Sequence, residues 1–154
     1  MKKIILLLFL IPIVTNGNEH TFTIRGASMS PCLSHGQKIK MHPVKSQPLR
    51  NDLIAFKYKK QMLLKRVVAL KGDHVKLKKN NLCYNILVNN IILKNSQKKP
   101  YCITRSVLKN YPIVDKDEFI VLGDLITGSN DSSLFGPIHY QSIRYRLKLK
   151  TCFY

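Results

Sequence analysis

Residues 25–31 read RGASMSP and place Ser28 at the centre of a short polar segment. Residues 22–25 alternate between apolar and polar side chains, which predicts a β-strand that ends beside this serine. Pro31 disfavours helix at the residue before it, so the backbone after Ser28 should stay extended or turn. A serine hydroxyl is a weak nucleophile until a neighbouring group removes its proton, so the rest of the chain must supply a base.

Lys65 is a candidate for that base and lies in a β-rich run, residues 63–70. The period of two in a strand places Lys65 on the same face as Leu63 and Val67, and Arg66 on the other face. Aliphatic neighbours desolvate an amine and disfavour its charged form, and a neutral amine is a base. The alternative is a lysine whose stem packs on the sheet while its amine reaches solvent.

The composition describes a small basic domain. The 154 residues include 26 Lys and Arg against 8 Asp and Glu, for a formal charge of +18. An anionic partner therefore has to be considered. The lysines are scattered among apolar residues and asparagines, which favours solvated strand faces or attraction to anionic lipid headgroups over nucleic-acid recognition. No zinc-finger spacing, aromatic RNA-binding motif or helix-turn-helix pattern supports a nucleic-acid partner.

The four cysteines are Cys32, Cys83, Cys102 and Cys152. None lies in a CxxC pair, and the three-residue spacing of Cys32 and His35 has no second pair to complete a site, so no metal is expected. Two disulfides would fit an oxidising compartment, and Cys83 with Cys102 is the predicted pair. Free buried cysteines are the alternative.

The N-terminus reads as an export signal. Two lysines precede eleven mostly apolar residues, 4–14, whereas a membrane-spanning helix takes about 20. Residues 1–17 are therefore predicted to be a signal peptide, with small residues for cleavage at 15–17, or a retained membrane anchor. Residues 18–154 are predicted to be one exported domain, either tethered to the outer face of the cytoplasmic membrane or released into the periplasm.

The remaining pattern is that of a mainly β domain, with no long helix and no repeat. Strands are predicted at 37–41, 52–56, 63–70, 75–77, 86–88, 91–93, 119–122 and 143–149. Asn89 and Asn90 predict a tight hairpin turn, because asparagine tolerates positive φ. Residues 94–112 are polar and are predicted to form a surface excursion.

Four segments in one order resemble the signal peptidase I family of Ser–Lys endopeptidases. They are residues 26–31, 50–56, 65–73 and 123–137. The serine comes first, the lysine second and the acidic segment last. Each segment is a weak signal alone, but together the matching stretches extend from residue 22 to about residue 147.

The resemblance implies roles for five residues. Ser28 would be the nucleophile, and Lys65 would be the general base that takes its proton and later protonates the leaving amine. This Ser–Lys pair is a variant of the catalytic triad of serine proteases. Ser129 would be the hydroxyl that orients the lysine, and Asp131 the carboxylate that supports this corner. Met29 would lie beside the substrate groove.

The resemblance also implies a fold and partners. The expected catalytic core consists of coiled antiparallel sheets with a small inserted hairpin region, preceded by the apolar N-terminal segment. Arg66 would be structural, and no cofactor is implied. The substrate would be a precursor polypeptide, bound as an added strand with small side chains in pockets.

Within the family, the short chain, residues 88–96 and residues 129–137 favour the conjugative-transfer (TraF-type) branch, which matures pilin or mating-channel subunits. Residues 28–31 look more like the general signal peptidase that removes signal peptides from secreted proteins. Both substrate classes therefore stay open.

Two departures from the family pattern concern the active site. Ser133 stands where the family usually has an arginine, so an ion pair near Asp131 is either missing or supplied by Arg144 or Arg146. Gly26 stands where some relatives carry a hydroxyl donor to the oxyanion, so backbone N–H groups must serve instead.

The sequence leaves three alternative functions to consider. Five histidines (His20, His35, His42, His74 and His139) permit a Ser-His-Asp triad by composition, but the chain has no Gly-x-Ser-x-Gly motif. A self-cleaving Ser–Lys repressor would need a DNA-binding headpiece where the apolar leader stands. The non-enzymatic rival is a basic exported binding protein or an inactive relative.

Overall fold

The structure is a computed structural model that describes residues 19–104, 107–110, 113–126 and 129–147. Within these ranges the chain forms ten strands, one short α helix and two 3₁₀ helices. The strands are β1 (His20–Thr23), β2 (Lys38–Pro43), β3 (Leu53–Tyr58), β4 (Gln61–Ala69), β5 (Val75–Lys79), β6 (Tyr84–Val88), β7 (Ile91–Ile92), β8 (Glu118–Leu122), β9 (Ile138–His139) and β10 (Ile143–Leu147). The helices are α1 (Ser132–Phe135) and the 3₁₀ turns Val107–Asn110 and Tyr140–Ser142.

The strands form two sheets, and every strand pair in them is antiparallel. Seven strands make the larger sheet in the order β1-β2-β10-β3-β4-β8-β9, and β5-β6-β7 make the smaller one. Alternation explains strands such as β2, where Ile39 and Met41 are buried while Lys38 and Lys40 face solvent. The mainly β prediction is confirmed.

The smaller sheet is the predicted inserted hairpin region. Asn89 and Asn90 have φ values of 51° and 66°, the left-handed values that a two-residue turn between β6 and β7 requires. The lysines of β5 point outward, while Val75 on the same strand is buried. The hairpin prediction is confirmed.

The prediction of a surface excursion over residues 94–112 was wrong in part. Asn95, Tyr101 and Leu108 are all buried. Tyr101 and Leu108 pack in one core cluster with Ile120 and other residues of both sheets. The few apolar residues of this segment supply the layer between the two sheets, and its polar average composition concealed them.

A disulfide joins Cys83 to Cys102, as predicted, and fastens the start of β6 to the segment that follows the hairpin. Cys32 is also disulfide-bonded. The described cysteines therefore include no free thiol, which agrees with the prediction of an oxidising compartment.

The central strand β3 fixes the position of β4. Leu53 and Ala55 pack in a cluster on one face of the sheet, and Ile54 and Phe56 pack in another on the opposite face. A strand buried on both faces tolerates no slip of register, because a shift by one residue would exchange the two faces. Lys65 of β4 consequently lies opposite Ile54.

The predicted leader, residues 1–17, lies outside the described residues. In the part of the chain that the structure describes, no helix combines the length and the apolar character needed to cross a membrane.

Candidate active site

Ser28 lies in a tight turn directly after β1. Ser30 N–H donates to Ala27 O at 2.8 Å, and Gly26 takes a φ of +84°, a value that glycine adopts without strain. His35 Nδ1 accepts a hydrogen bond from Gly26 N–H at 3.0 Å. On the other side, Leu125 N–H donates to Ser28 O at 3.0 Å. The nucleophile candidate is thus held from both sides through its backbone.

Lys65 reaches this serine from β4. Its Nζ donates to Ser28 Oγ at 2.8 Å and to Leu64 O at 3.0 Å. The side chain is only 2% exposed, so the amine does not reach solvent. The predicted placement of Lys65 on the buried face is confirmed, and the alternative of a lysine extending into solvent is wrong.

The surroundings of Lys65 favour the neutral amine. Burial lowers the pKa of Lys65 from its ordinary value, and the carboxylates of Asp131 and Asp124 oppose this shift without reversing it. When the amine is neutral, its lone pair can accept the hydrogen bond that the Ser28 hydroxyl donates. The pair can therefore move a proton from oxygen to nitrogen without rearrangement.

Asp131 forms a buried corner behind the lysine. It caps the N-terminus of α1, and its Oδ1 accepts from Ser133 N at 3.0 Å and from Ser133 Oγ at 2.7 Å. Its Oδ2 accepts from Gly123 N at 3.0 Å. Among the described residues, no cation forms an ion pair with Asp131.

The two arginines considered as partners for Asp131 lie elsewhere. Arg144 donates to the carbonyl of Gln141, and Arg146 lies 3.4 Å from Asp52. Neither arginine pairs with Asp131, so among the described residues this carboxylate has no ion-pair partner. Ser133, in the position of the family's arginine, satisfies the carboxylate through its hydroxyl.

Ser129 lies beside Gly123 at the same corner. Its side chain is buried, and its Oγ has no hydrogen-bond partner in the described chain, so the structure contains no hydrogen bond between it and Lys65. The approach is close, since a Cβ added to Gly123 would overlap Ser129 Oγ and stand 2.5 Å from Ser28 O. The orienting role of Ser129 stays a prediction.

Arg66 points to the opposite face from Lys65 and is buried against Asp124. Its Nε and Nη2 donate to the two carboxylate oxygens at 2.8 and 2.7 Å, a bidentate pair. Asn95 Nδ2 donates to the carbonyl of Asp124 at 2.9 Å, which ties the inserted region to this pair. The contacts of Arg66 join β4 to the segment after β8 behind the dyad.

A cleft of about 400 Å³ opens beside the dyad. Its lining includes Met29, Thr23 and Ile39 on one side and Met62 and Leu64 on the other. Met29 lines this cleft and is buried in the core beneath it, and its place beside a substrate groove stays a prediction. The lining is mostly apolar around the Lys65 amine and the Ser28 hydroxyl, and Thr23, Arg25 and Tyr145 add the other polar groups, the usual character of a ligand site.

Two unpaired strand edges border this cleft. β1 pairs with β2 on one side only, and it ends the sheet. β4 pairs with β8 only from Arg66 onward, so residues 61–65 have no paired strand on that side within the described chain. An extended peptide could add main-chain hydrogen bonds to either edge.

The chain is similar in sequence to a family of known proteins. Residues 1–151 match the family described as signal peptidase, peptidase S26. The chain belongs to this family. The resemblance stated from four sequence segments is confirmed, and so is the prediction of a signal peptidase I-like serine endopeptidase.

Three relatives show the extent of the likeness. Signal peptidase I of Aquifex aeolicus is 34% identical over 72% of this chain, which spans only 46% of that protein. Signal peptidase I P of Bacillus subtilis subsp. natto is 28% identical over 86% of the chain and 76% of the relative. Signal peptidase IB of Staphylococcus aureus (strain COL) is 30% identical over 79% and 72%, respectively.

A solved structure supports the fold. Signal peptidase I from Enterococcus faecalis V583 superposes with a TM-score of 0.52 and 24% identity, covering 67% of this chain and 98% of that one. The predicted signal-peptidase-like core is confirmed by this likeness.

Several residues of this S26 site were missed by sequence reasoning. His35 and Leu64 act through groups that leave no pattern in a sequence, namely one ring nitrogen and one carbonyl oxygen. Gly123 belongs to the matching segment 123–137, but no role was predicted for it, although its lack of a side chain lets Ser28 and Ser129 both lie close to it. Its place directly after the buried strand β8 was the available signal.

Proposed function

We propose that the chain is a membrane-associated endopeptidase that cleaves exported precursor polypeptides with a Ser28–Lys65 dyad. The observation that carries this proposal is the 2.8 Å hydrogen bond between a buried lysine and a half-buried serine at the end of an apolar cleft. A buried lysine is costly, and its presence against a hydroxyl needs a reason other than stability.

The proposed reaction follows from the geometry of the pair. Neutral Lys65 removes the hydroxyl proton as Ser28 Oγ adds to the carbonyl carbon of the scissile peptide. The C–N bond then breaks, and the protonated amine returns this proton to the leaving nitrogen. In the second half, Lys65 takes a proton from water, whose oxygen adds to the acyl carbon and releases Ser28 with its proton restored.

The oxyanion of each intermediate needs donors. Ser28 N–H makes no hydrogen bond to any described residue and is available for this role. Gly26 N–H is occupied by His35, which leaves the main chain of Ser28 as the donor that the sequence indicated. Losing one such donor costs about 2.7–4 kcal/mol in comparable sites, so a slow enzyme is expected.

The charge and the leader support work at a membrane surface. Thirteen residues separate Val14 from Ser28, a reach of roughly 45 Å at most if fully extended. A retained leader would therefore hold the cleft near the bilayer on the extracytoplasmic side, and the charge of +18 would attract anionic lipids. If the leader is cleaved, the domain is soluble in the periplasm.

The finer proposal is that the substrates are pilin or mating-channel precursors of a conjugative system. It depends on the sequence of residues 88–96 and 129–137. General removal of signal peptides is the second candidate, favoured by residues 28–31 and by the similarity to signal peptidases I, I P and IB.

Co-expression with one conjugative pilin precursor and one secretory precursor, followed by sequencing of new N-termini, separates these candidates. We expect cleavage of the pilin precursor at a higher rate, and none with Ser28→Ala. Cleavage of only the secretory precursor would assign the general function. Equal processing with both forms of the enzyme would leave the inactive, non-enzymatic rival.

A further inference from the structure

A second cavity, of about 220 Å³, lies behind the catalytic corner. Its walls include Tyr101 from the inserted region, Leu122 of β8, Ser129, and the capping pair Asp131 and Ser133. Neither Ser28 nor Lys65 lines it. The cavity is thus distinct from the substrate cleft, and the two share only the corner between them.

Three side chains that line this cavity have oxygen atoms that could form further hydrogen bonds. Tyr101 is 2% exposed and Ser129 is 7% exposed, yet the hydroxyl oxygen of each is buried without a hydrogen-bond partner in the described chain. Buried hydroxyls without partners each cost free energy comparable to a lost hydrogen bond. Asp131 adds a buried carboxylate that accepts three neutral hydrogen bonds and forms no ion pair with a described residue.

The charges around the cavity do not cancel. Arg66 and Asp124 neutralise each other as a bidentate pair. Lys65 balances Asp131 only when the amine is protonated, and the amine must be neutral to act as a base. In the reactive state, no described residue therefore compensates the negative charge of Asp131, which lies beside a cavity with unsatisfied oxygens.

We propose that this cavity is a binding site for a small guanidinium cation. A guanidinium is planar, stays charged at any working pH and has up to six N–H donors, so one ion can serve the carboxylate and both hydroxyls. It is also weakly hydrated, which suits the apolar walls at Leu122 and Ile126. Leu125 and Leu134 are both exposed and lie at the cavity, where they leave a route from solvent.

Water in the cavity could form hydrogen bonds with the hydroxyls but has no net charge. Water and a guanidinium cation should therefore affect the pKa of Lys65 differently. A cation beside Asp131 offsets the field by which this carboxylate raises the pKa of Lys65. The cation and the proton on Lys65 therefore compete, and each must weaken the binding of the other by the same factor. Burial keeps the pKa of Tyr101 above its ordinary value, so its hydroxyl remains neutral throughout.

Binding can be measured without catalysis, so this test is independent of the peptidase proposal. Methylguanidinium chloride is titrated at millimolar concentration into Ser28→Ala protein, with calorimetry and Tm as readouts, against sodium and methylammonium chloride at equal ionic strength. We expect saturable binding and a rise in Tm for methylguanidinium alone. Equal behaviour of the three salts would overturn the proposal.

Variants locate the site. In Asp131→Asn, binding should weaken about tenfold or more, because a charged acceptor is lost. In Tyr101→Phe, which keeps the cavity's shape, it should weaken about threefold to tenfold. Asp117→Asn is the matched control, since it removes one carboxylate at a partly exposed turn, where φ is +62° and asparagine is tolerated. Equal affinity in Tyr101→Phe and the parent protein would refute the site even if Asp131→Asn failed to fold.

Two sources could present this group, namely a free cation or an arginine side chain. N-acetylarginine amide is therefore titrated in parallel, and we expect it to bind more weakly than methylguanidinium because the cavity is small. Tighter binding of the arginine amide would overturn the assignment to a free cation. In active enzyme, which rests on the proposed function, saturating methylguanidinium should shift the acid limb of kcat/KM to lower pH, and an unchanged limb would contradict the coupling.

Discussion

The Nζ atom of Lys65 lies 2.8 Å from Oγ of Ser28, although 37 positions separate the two residues. Neither residue brings the other into place. Ser28 is held by the turn after β1 and by Leu125, whereas Lys65 is held by the pairing of β4 with β3. The contact therefore results from the folding of the sheet. The packing of the sheet offsets the free-energy cost of burying an amine.

Replacing Lys65 with methionine should abolish processing and stabilise the fold. Without the base, kcat/KM should fall by a factor of about 10²–10⁴ or more, close to the level of Ser28→Ala. The folded pKa of Lys65 is lowered from 10.5. Between the folded value and 10.5, the unfolded chain binds a proton that the folded chain does not, so wild-type stability rises with pH across this window.

Lys65→Met removes that linkage, so its Tm at neutral pH should exceed the wild-type value by about 2–4 °C for each kcal/mol gained. Thermal unfolding over a range of pH measures both effects. The exposed Lys57→Met is the control, and it should change neither activity nor Tm. A variant at position 65 that is less stable than wild type would contradict the account of a buried, costly amine.

The pH dependence of the reaction should report the same amine. Because Lys65 must be neutral to act, kcat/KM should rise with pH through its lowered pKa. Asp131 raises that pKa, so in Asp131→Asn the rise should occur at lower pH. Initial rates over a pH series measure the midpoint, with Asp117→Asn as the control. A midpoint that moves to higher pH in Asp131→Asn would contradict the predicted direction of this shift.

Ser129→Ala should slow the enzyme without stopping it. If the hydroxyl turns towards Lys65 when substrate excludes water, its loss removes about one hydrogen bond, and kcat should fall about tenfold while KM stays unchanged. Steady-state kinetics separate the two parameters. Ser142→Ala is the control, because that hydroxyl donates to His139 O and neither residue lines the cleft. Unchanged kcat in Ser129→Ala would remove this residue from the mechanism.

Local patterns in the sequence predicted much of the fold. Alternation located β2 and β10, and the pair Asn89 and Asn90 located the hairpin, because both signals act within a few residues. The burial of Tyr101 was not predictable in this way, because it depends on a second sheet packing over the segment. Local composition contains no information about that layer.

The same distinction between local signals and long-range contacts applies to the active site. Parity placed Lys65 on a desolvated face of its strand, but its pairing with Ser28 was implied by the family resemblance. The ion pair of Arg66 with Asp124 could not be predicted from the sequence, and neither could the position of Arg146 beside Asp52. A long side chain can reach several partners, and only the folded structure determines which one it contacts. As a result, none of the described arginines pairs with Asp131.

Gly123→Ala should damage both the fold and the active site. A Cβ at this position would stand 2.5 Å from the backbone oxygen of Ser28 and 2.9 Å from Cβ of Ser129. Backbone atoms held by hydrogen bonds cannot yield as the end of a flexible side chain can, so the turn with Ser28 must move. We expect a loss of about 1–3 kcal/mol of stability from overpacking.

The same displacement should separate Ser28 Oγ from Lys65 Nζ, so activity should fall by more than stability alone explains, at a temperature where the variant is still folded. Urea unfolding and kcat/KM measured on the same protein sample test this together. Gly72→Asn is the control, because its added Cβ meets open space, so any loss of stability there comes from backbone strain at a φ of +82° and not from crowding near Ser28. If Gly123→Ala retained full activity, the close approach of Gly123 to Ser28 would have no part in holding the dyad, and the turn would have to be positioned by Leu125 and His35 alone.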